Sequence, residues 1–342
     1  MSSVVPPRVF ISLGVLLLTA CQGELGGITP TPPPPDDPSE QWQEDVIYWD
    51  ALETGLEIHQ LYAVAGENPS RLYLAGDGGQ LWRWNAGAVE TVTTLTTDDG
   101  ASPALYGLAL LSDFSGKLVV AVGERGSIFA SNLSVNGFEQ QATNTLGTFR
   151  DVILFDRADQ WAVGDNGVYR FNASAQTWSR DTTLPGNVQL DAIWGRSADD
   201  LYVAGDSGAL FHRSAEGWSR INLGRSENFY ALWGSASDSV YVAGQGGLIL
   251  HFDGTDWQAQ ETGVYDNLWT LHGLSETQVF AGGTNGQVLY FDGVGWQRLP
   301  SGVGSNLFAL WGSDLEHVYA AGARGSLLQF DNDPTPPPYE AE

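Results

Sequence analysis

The sequence predicts an all-β fold: a seven-bladed β-propeller with four antiparallel strands per blade, its ring closed by an N-terminal strand that completes the last blade. Three observations predict it. One unit of about forty residues recurs seven times between Tyr62 and Asp331: an apolar strand, a second strand ending in Ala/Val-Gly, a turn closed by Gly, a third strand and usually a Trp. The Gly that ends the second strand returns as Gly76, Gly123, Gly164, Gly205, Gly244, Gly283 and Gly322, at spacings of 47, 41, 41, 39, 39 and 39 residues, so seven copies mean seven blades. No long stretch shows helical periodicity, and segments such as "LYVAG" and "VYVAG" carry the β-branched and aromatic residues that suit a strand packed on both faces.

Taken in chain order, the first element is a leader over residues 1–20. Arg8 precedes an apolar run from Val9 to Leu18 that is too short to span a bilayer and has the shape of a secretory signal. It ends in Leu18-Thr19-Ala20-Cys21, which resembles the bacterial lipobox, and Cys21 is the only cysteine of the chain. That resemblance implies cleavage before Cys21 and lipidation of it, leaving no disulfide and no free thiol. Gln22 in place of an Asp implies the outer membrane of a bacterial cell envelope. Acyl chains at roughly 0.8 kcal/mol per buried methylene would hold the protein firmly, its only expected contact with the membrane. Residues 21–45 form the next element, a Pro-rich and acidic stretch that includes "TPTPPPPDDPSE" and reads as a semi-extended tether.

The propeller is assigned to residues 46–332. Outer strands begin near Trp178, Trp218, Trp257 and Trp296, but the seventh repeat runs into Pro334 before it reaches one. The missing strand is at the other end of the chain, where "WDALETG" from Trp49 matches "WQAQETG" from Trp257. Pairing the segment around Tyr48 to Thr54 onto the last blade removes two exposed sheet edges at once. The tail, residues 333–342, is Pro-rich like the tether and is expected to be disordered.

Composition narrows the partners. The formal net charge is −26, and Lys117 is the only lysine among 15 basic residues. A field of that sign repels nucleic acid and acidic membrane surfaces and leaves cations, neutral glycans and basic protein segments as partners. The 42 Gly residues serve the many turns, and aromatic side chains fill the wedges between blades.

In a ring of blades, ligands meet the face that carries the loops between blades and the turns joining second to third strands. On that face the inner strands open with Tyr62, Tyr106, Asp151, Asp191, Tyr230, Trp269 and Phe308, and the turns contribute Asp77, Glu124, Asp165, Asp206, Gln245, Thr284 and Ala323. The expected site is therefore split. Asp77, Glu124, Asp165 and Asp206, reinforced by Asp151 and Asp191, form an acidic half, and Tyr230, Trp269 and Phe308 an aromatic half. Aromatic faces stack on sugars or cations while acids bond hydroxyls or pair with charges. Local turn hydrogen bonding by the acids and inter-blade packing by the aromatics is the competing expectation.

No metal or cofactor is expected. His59, His212, His251, His272 and His317 lack ligand-like spacing, and His272 takes the slot filled elsewhere by Trp194, Trp233 and Trp311, which marks it as a packing residue. "TTDDGAS" around Asp98 and Asp99 lacks the alternating acids of a calcium loop. The chain carries no G-x-S-x-G elbow, no H-E-x-x-H and no phosphate-binding loop.

The blocks "LWGSASDSVYVAGQGGLILHFDGTDW" and "LWGSDLEHVYAAGARGSLLQFD" resemble BNR-type propeller repeats, including those of photosystem II assembly factors and of bacterial surface lipoproteins. Asp253-Gly254-Thr255-Asp256-Trp257 and Asp292-Gly293-Val294-Gly295-Trp296 are similar to shortened Asp-boxes, which the resemblance implies are structural. The three arginines of a sialidase are missing, Arg150 alone falling near the opening of an inner strand, and the basic patch of the assembly factors is replaced by acids. The reading is a monomeric, non-enzymatic binding or scaffolding module for an envelope protein or glycan. The competing class is a glycan-active hydrolase or lyase using a carboxylate from Asp151, Asp165, Asp191 or Asp206.

Overall fold

The computed structural model describes residues 48–331 apart from residue 86 and the stretches 133–136 and 185–186. The expected leader, Cys21, the tether and the tail lie outside the described residues. Six repeats each fold into one antiparallel four-stranded sheet whose strands neighbour one another in chain order, and a seventh sheet, which takes its outer strand from the start of the described residues, completes the ring. The inner strands are Leu61–Asn68, Leu105–Asp113, Phe149–Leu154, Leu190–Ser197, Phe229–Ala236, Leu268–Ser275 and Leu307–Gly312.

Second strands are buried on both faces because each sheet is sandwiched between two neighbours. Ser239–Gly244 is buried at every position, for example. No blade could bury its core alone, and each apolar cluster is shared between adjacent blades. Tyr202 and Leu210 of the fourth blade pack with Phe229, Leu232 and Leu250 of the fifth.

Two local devices hold blade to blade. The first is the turn after the second strand, as at Gln245-Gly246-Gly247. Gly247 has φ +75°, and a Cβ there would stand 2.1 Å from the carbonyl oxygen of Val264 in the loop leading to the next blade, so only glycine fits. The second is an indole laid over a glycine of the following blade. Trp194 covers Gly234, Trp233 covers Gly273 and Trp311 covers Gly66, each so closely that a Cβ would fall 2.2–2.6 Å from the ring. His272 fills the same slot between blades six and seven, buried, with Nε2 2.9 Å from the carbonyl oxygen of Gly312. Burial holds its pKa below the usual histidine value, so it packs as a neutral ring.

The ring closes as expected. Tyr48–Ala51 pairs antiparallel with Leu327–Asp331, in the register Tyr48 to Asp331 through Ala51 to Leu328. The likeness of "WDALETG" to "WQAQETG" extends to contacts. The hydroxyl of Thr54 donates to the carbonyl of Gly325 at 2.9 Å, and that of Thr262 donates to the carbonyl of Gly247 at 2.8 Å. The strand is shorter than the segment that carries the likeness. It ends at Ala51, and Leu52 adds one further bond to the carbonyl of Leu327 at 2.8 Å.

The two Asp-box-like turns lie at the opposite end of the blades from the glycine turns. In each the aspartate ties its own turn: Asp253 Oδ1 accepts the N–H groups of Thr255 and Asp256, and Asp292 Oδ1 those of Val294 and Gly295.

Candidate functional site: the mouth of the central channel

In every blade the register between inner and second strand skips one residue. Leu61 faces Gly76 and Ala63 faces Ala75, which leaves Tyr62 between them without a partner. The same bulge recurs at Tyr106, Arg150, Asp191, Tyr230, Trp269 and Phe308. A bulge turns its extra side chain out of the alternation of the strand. Here it turns all seven toward the axis of the ring, where they line one cavity of about 210 Å³.

This ring corrects the sequence alignment in one blade. Arg150, not Asp151, holds the bulge of blade three, and Asp151 sits one step deeper, at the position held by Ala63, Gly107, Ala192, Ala231, Thr270 and Ala309 elsewhere. Both its oxygens are occupied: Oδ1 accepts the N–H of Val152 at 2.8 Å and Oδ2 the N–H of Ile193, on the next blade, at 3.0 Å. Burial outweighs those two bonds and pushes the carboxyl up to about 7.

The aromatic half forms as a set of contacting rings. Tyr230 and Trp269 lie with centroids 4.4 Å apart and planes tilted by 36°, and Tyr62 contacts both Tyr106 at 4.9 Å and Phe308 at 5.4 Å. These rings line the channel rather than the wedges between blades. The aromatic half is thus larger than Tyr230, Trp269 and Phe308, since Tyr62 and Tyr106 continue it past Phe308.

The turn residues act as latches on the same mouth. Asp77 Oδ2 accepts the N–H of Gln60 at 3.2 Å, Glu124 Oε2 that of Ala104 at 3.2 Å, and Asp165 Oδ2 that of Thr148 at 2.9 Å. Each thereby fixes the backbone just ahead of an inner strand. The second oxygen meets a side chain: His59 Nδ1 lies 2.8 Å from Asp77, the hydroxyl of Tyr106 donates to Glu124 at 3.1 Å, and Arg150 donates to Asp165 at 3.2 Å. In blade six the pairing is Trp269 Nε1 to the hydroxyl of Thr284, 3.0 Å. Burial, then Glu124, push the Tyr106 hydroxyl up to about 12, so it stays a donor.

Blade four differs. Its bulge residue and its turn residue are both carboxylates, Asp191 and Asp206. Arg150 Nε lies 3.1 Å from Asp191 Oδ1, an ion pair whose angle falls short of a hydrogen bond, and Asp191 Oδ2 is buried with no partner among the described residues. Burial pushes Asp191 up to about 6 against the pull of Arg150, and Asp206 adds to the rise. The carboxylate of Asp206 has no hydrogen bond or ion pair among the described residues. Among those residues, no group of three or more His, Cys, Asp or Glu is arranged to hold a metal.

Sequence reasoning passed over three residues around this mouth. Ile58, Leu146 and Tyr265 are 86, 82 and 91% exposed, and each stands three residues ahead of an inner strand, in blades one, three and six. Their equivalent place in the repeat was the available signal.

The architecture and the bulge ring define a seven-bladed β-propeller with a lined channel mouth. A scan against protein-family models finds no match, and a search of curated proteins finds none. Solved structures are similar in fold. YCF48 bound to a D1 peptide superposes with a TM-score of 0.67 at 16% identity, over 83% of this chain and 97% of that one. YCF48 from Cyanidioschyzon merolae gives 0.66 at 14%, over 82% and 98%. The WD40 repeats of RRP9 give 0.68 at 12%, over 84% and 98%. At these identities the likeness is one of fold.

Proposed function

We propose that this propeller is a non-enzymatic binding module that takes a segment of an envelope protein on its channel-mouth face, and that lipid on Cys21 tethers it to the bacterial outer membrane. The observation that carries the binding reading is the coincidence, on one face, of the lined mouth with the exposed side chains of Ile58, Leu146 and Tyr265. Exposed large apolar side chains gathered on one face mark a protein-interaction surface. The fold supports it further, since a propeller of the same architecture is known with a bound peptide. The tether reading rests on the Leu-Thr-Ala-Cys run of the sequence.

Capture from envelope extract, with the mature protein as bait, tests the face. Replacing Ile58, Leu146 and Tyr265 together by Asp abolishes capture, whereas replacing Phe114 and Val294, exposed at the opposite end of the blades, leaves it intact. The reverse pattern rejects the reading. A glycan partner is recognised by the same loss in a glycan-binding assay. The specific observation favouring a glycan-active enzyme is the pair of raised carboxyls, Asp151 and Asp191. Turnover of envelope glycan that is abolished by Asp191→Asn while binding survives would establish that reading instead.

A further inference from the structure

We propose that the channel mouth between blades four and six receives a cationic side chain of the bound segment, its ammonium or guanidinium group held by Asp206 and Asp191 and covered by the contacting rings of Tyr230 and Trp269. The proposal rests on the reading of this face as a peptide-binding surface and names what that surface selects.

In blades two and three the turn acid pairs with the bulge residue, Glu124 with Tyr106 and Asp165 with Arg150, and in blade one Asp77 meets His59. Blade six pairs Trp269 with Thr284 in the same way. Blade four sets carboxylate beside carboxylate. Three acids, Asp165, Asp191 and Asp206, stand against the one guanidinium of Arg150, which is committed to Asp165 and Asp191. One unit of positive charge against three leaves the fourth blade short of a cation. The unpartnered Asp206 and the unmatched Oδ2 of Asp191 mark where that cation is missing.

The next two blades supply the cover. Asp191 lines the same cavity as Tyr230 and Trp269, and the turn that carries Asp206 contacts the inner strand that carries Tyr230, so both acids stand beside the Tyr230–Trp269 pair. A cation against aromatic faces and close to carboxylates is attracted by both, more strongly where water is reduced. The cavity of about 210 Å³ has room for the head of one side chain rather than for a folded element. An anion is the wrong occupant, because the guanidinium that would receive it is spent. The net charge of −26 favours a cation over an anion as the group drawn to this protein.

The test uses acetyl-Gly-Gly-Lys-Gly-Gly-amide and its counterparts with trimethyllysine, norleucine and glutamate at the centre, titrated into the mature protein. The readout is the indole N–H resonance of Trp269, identified by its loss in Trp269→Phe. The lysine and trimethyllysine peptides bind, and the norleucine and glutamate peptides bind about tenfold more weakly or not at all. Trp269→Ala weakens the lysine peptide about tenfold. Asp206→Gln, which installs the residue found at the same turn position in blade five, weakens it and removes most of its salt dependence. Asp256→Asn, at the other end of the blades, changes neither. Equal binding of the glutamate and lysine peptides overturns the proposal, as does unchanged lysine affinity in folded Trp269→Ala and Asp206→Gln. If partner capture depends on Ile58, Leu146 and Tyr265 while no cationic peptide binds, the cation site falls and the binding face stands.

Discussion

Trp49, near the start of the described residues, lies directly across a strand pair from Phe330, near their end, with ring centroids 5.3 Å apart. The same cross-strand pair recurs inside the chain as Phe171 with Trp178, Phe252 with Trp257 and Phe291 with Trp296, at 5.4–5.5 Å. Closure therefore reuses the contact that fastens the outer strand of an ordinary blade, with the covalent connection moved to the other end of the chain. Trp49 also meets Phe280 of the sixth blade edge-on, so the closing strand fastens blade seven to blade six.

The first prediction follows from that pair. Trp49 is 5% exposed, and truncating a buried indole costs about 3–5 kcal/mol, a large fraction of what holds a domain folded. Urea unfolding of Trp49→Ala should show that loss. Deleting Tyr48 to Gly55 should do more, while removing Gly23 to Pro38 should leave the midpoint where it was. Identical midpoints for all three would mean that this strand does not hold the ring.

The indole-over-glycine contact gives the second prediction. A Cβ on Gly66 would stand 2.2 Å from the indole of Trp311, which cannot retreat without shifting blade seven against blade one. Gly66→Ala should destabilise by about 1–3 kcal/mol, the range for overpacking. Added to Trp311→Ala, the same change should cost far less than it does alone. Additive losses in the double-mutant cycle would show that the clash is relieved by some route other than the ring.

Blade number, blade order and closure were legible because they rest on periodic signals: a turn position that only glycine fits, and a Trp repeated in the outer strands of five blades. The channel residues were legible in six blades and misplaced in one. A bulge places two consecutive residues off the regular alternation, so counting by twos fails there. In "FRDVIL" the Asp resembles the Asp191 of blade four and drew the alignment one step too far, from Arg150 to Asp151. The partners of the turn acids were not legible, because a latch onto backbone N–H groups and a solvent-facing acid read alike in sequence. Asp206 became distinguishable from Asp77, Glu124 and Asp165 only through its lack of a partner.

Asp151 carries the third prediction. Its folded-state carboxyl, pushed up to about 7 by burial, keeps a proton that the unfolded chain has already lost. Stability conferred by this group is therefore present at low pH and falls as pH rises from the ordinary carboxylate range to about 7, by up to about 1.4 kcal/mol per unit. Six blades carry Ala, Gly or Thr at this place, so Asp151→Ala should fold. It should gain on the wild type as pH rises from 5 to 8 and level off above. His272 acts with the opposite sign: held below the usual histidine pKa by burial, it takes stability away as pH falls below about 6.5, in both proteins alike. A wild-type to Asp151→Ala difference that does not change with pH would show that Asp151 titrates as it does in the unfolded chain.

The last prediction concerns Arg150, whose guanidinium lies 3.2 Å from Asp165 and 3.1 Å from Asp191 at a position where three other blades carry Tyr. Arg150→Tyr restores the repeat, yet it should destabilise by about 1–3 kcal/mol at pH 7.5, because Asp191, with a side chain only 12% exposed, is left with no countercharge. Adding Asp191→Asn should return most of the loss, since the neutral amide needs no cation. Lowering the pH should do so without a second mutation. Asp191 is already pushed up to about 6 beside Arg150, and losing that neighbour raises it further, so below about pH 5 the carboxyl is protonated and the missing guanidinium costs little. If Arg150→Tyr matches the wild type at pH 7.5, the pair contributes nothing measurable, and the shortage of positive charge at blade four no longer follows from the geometry of the mouth.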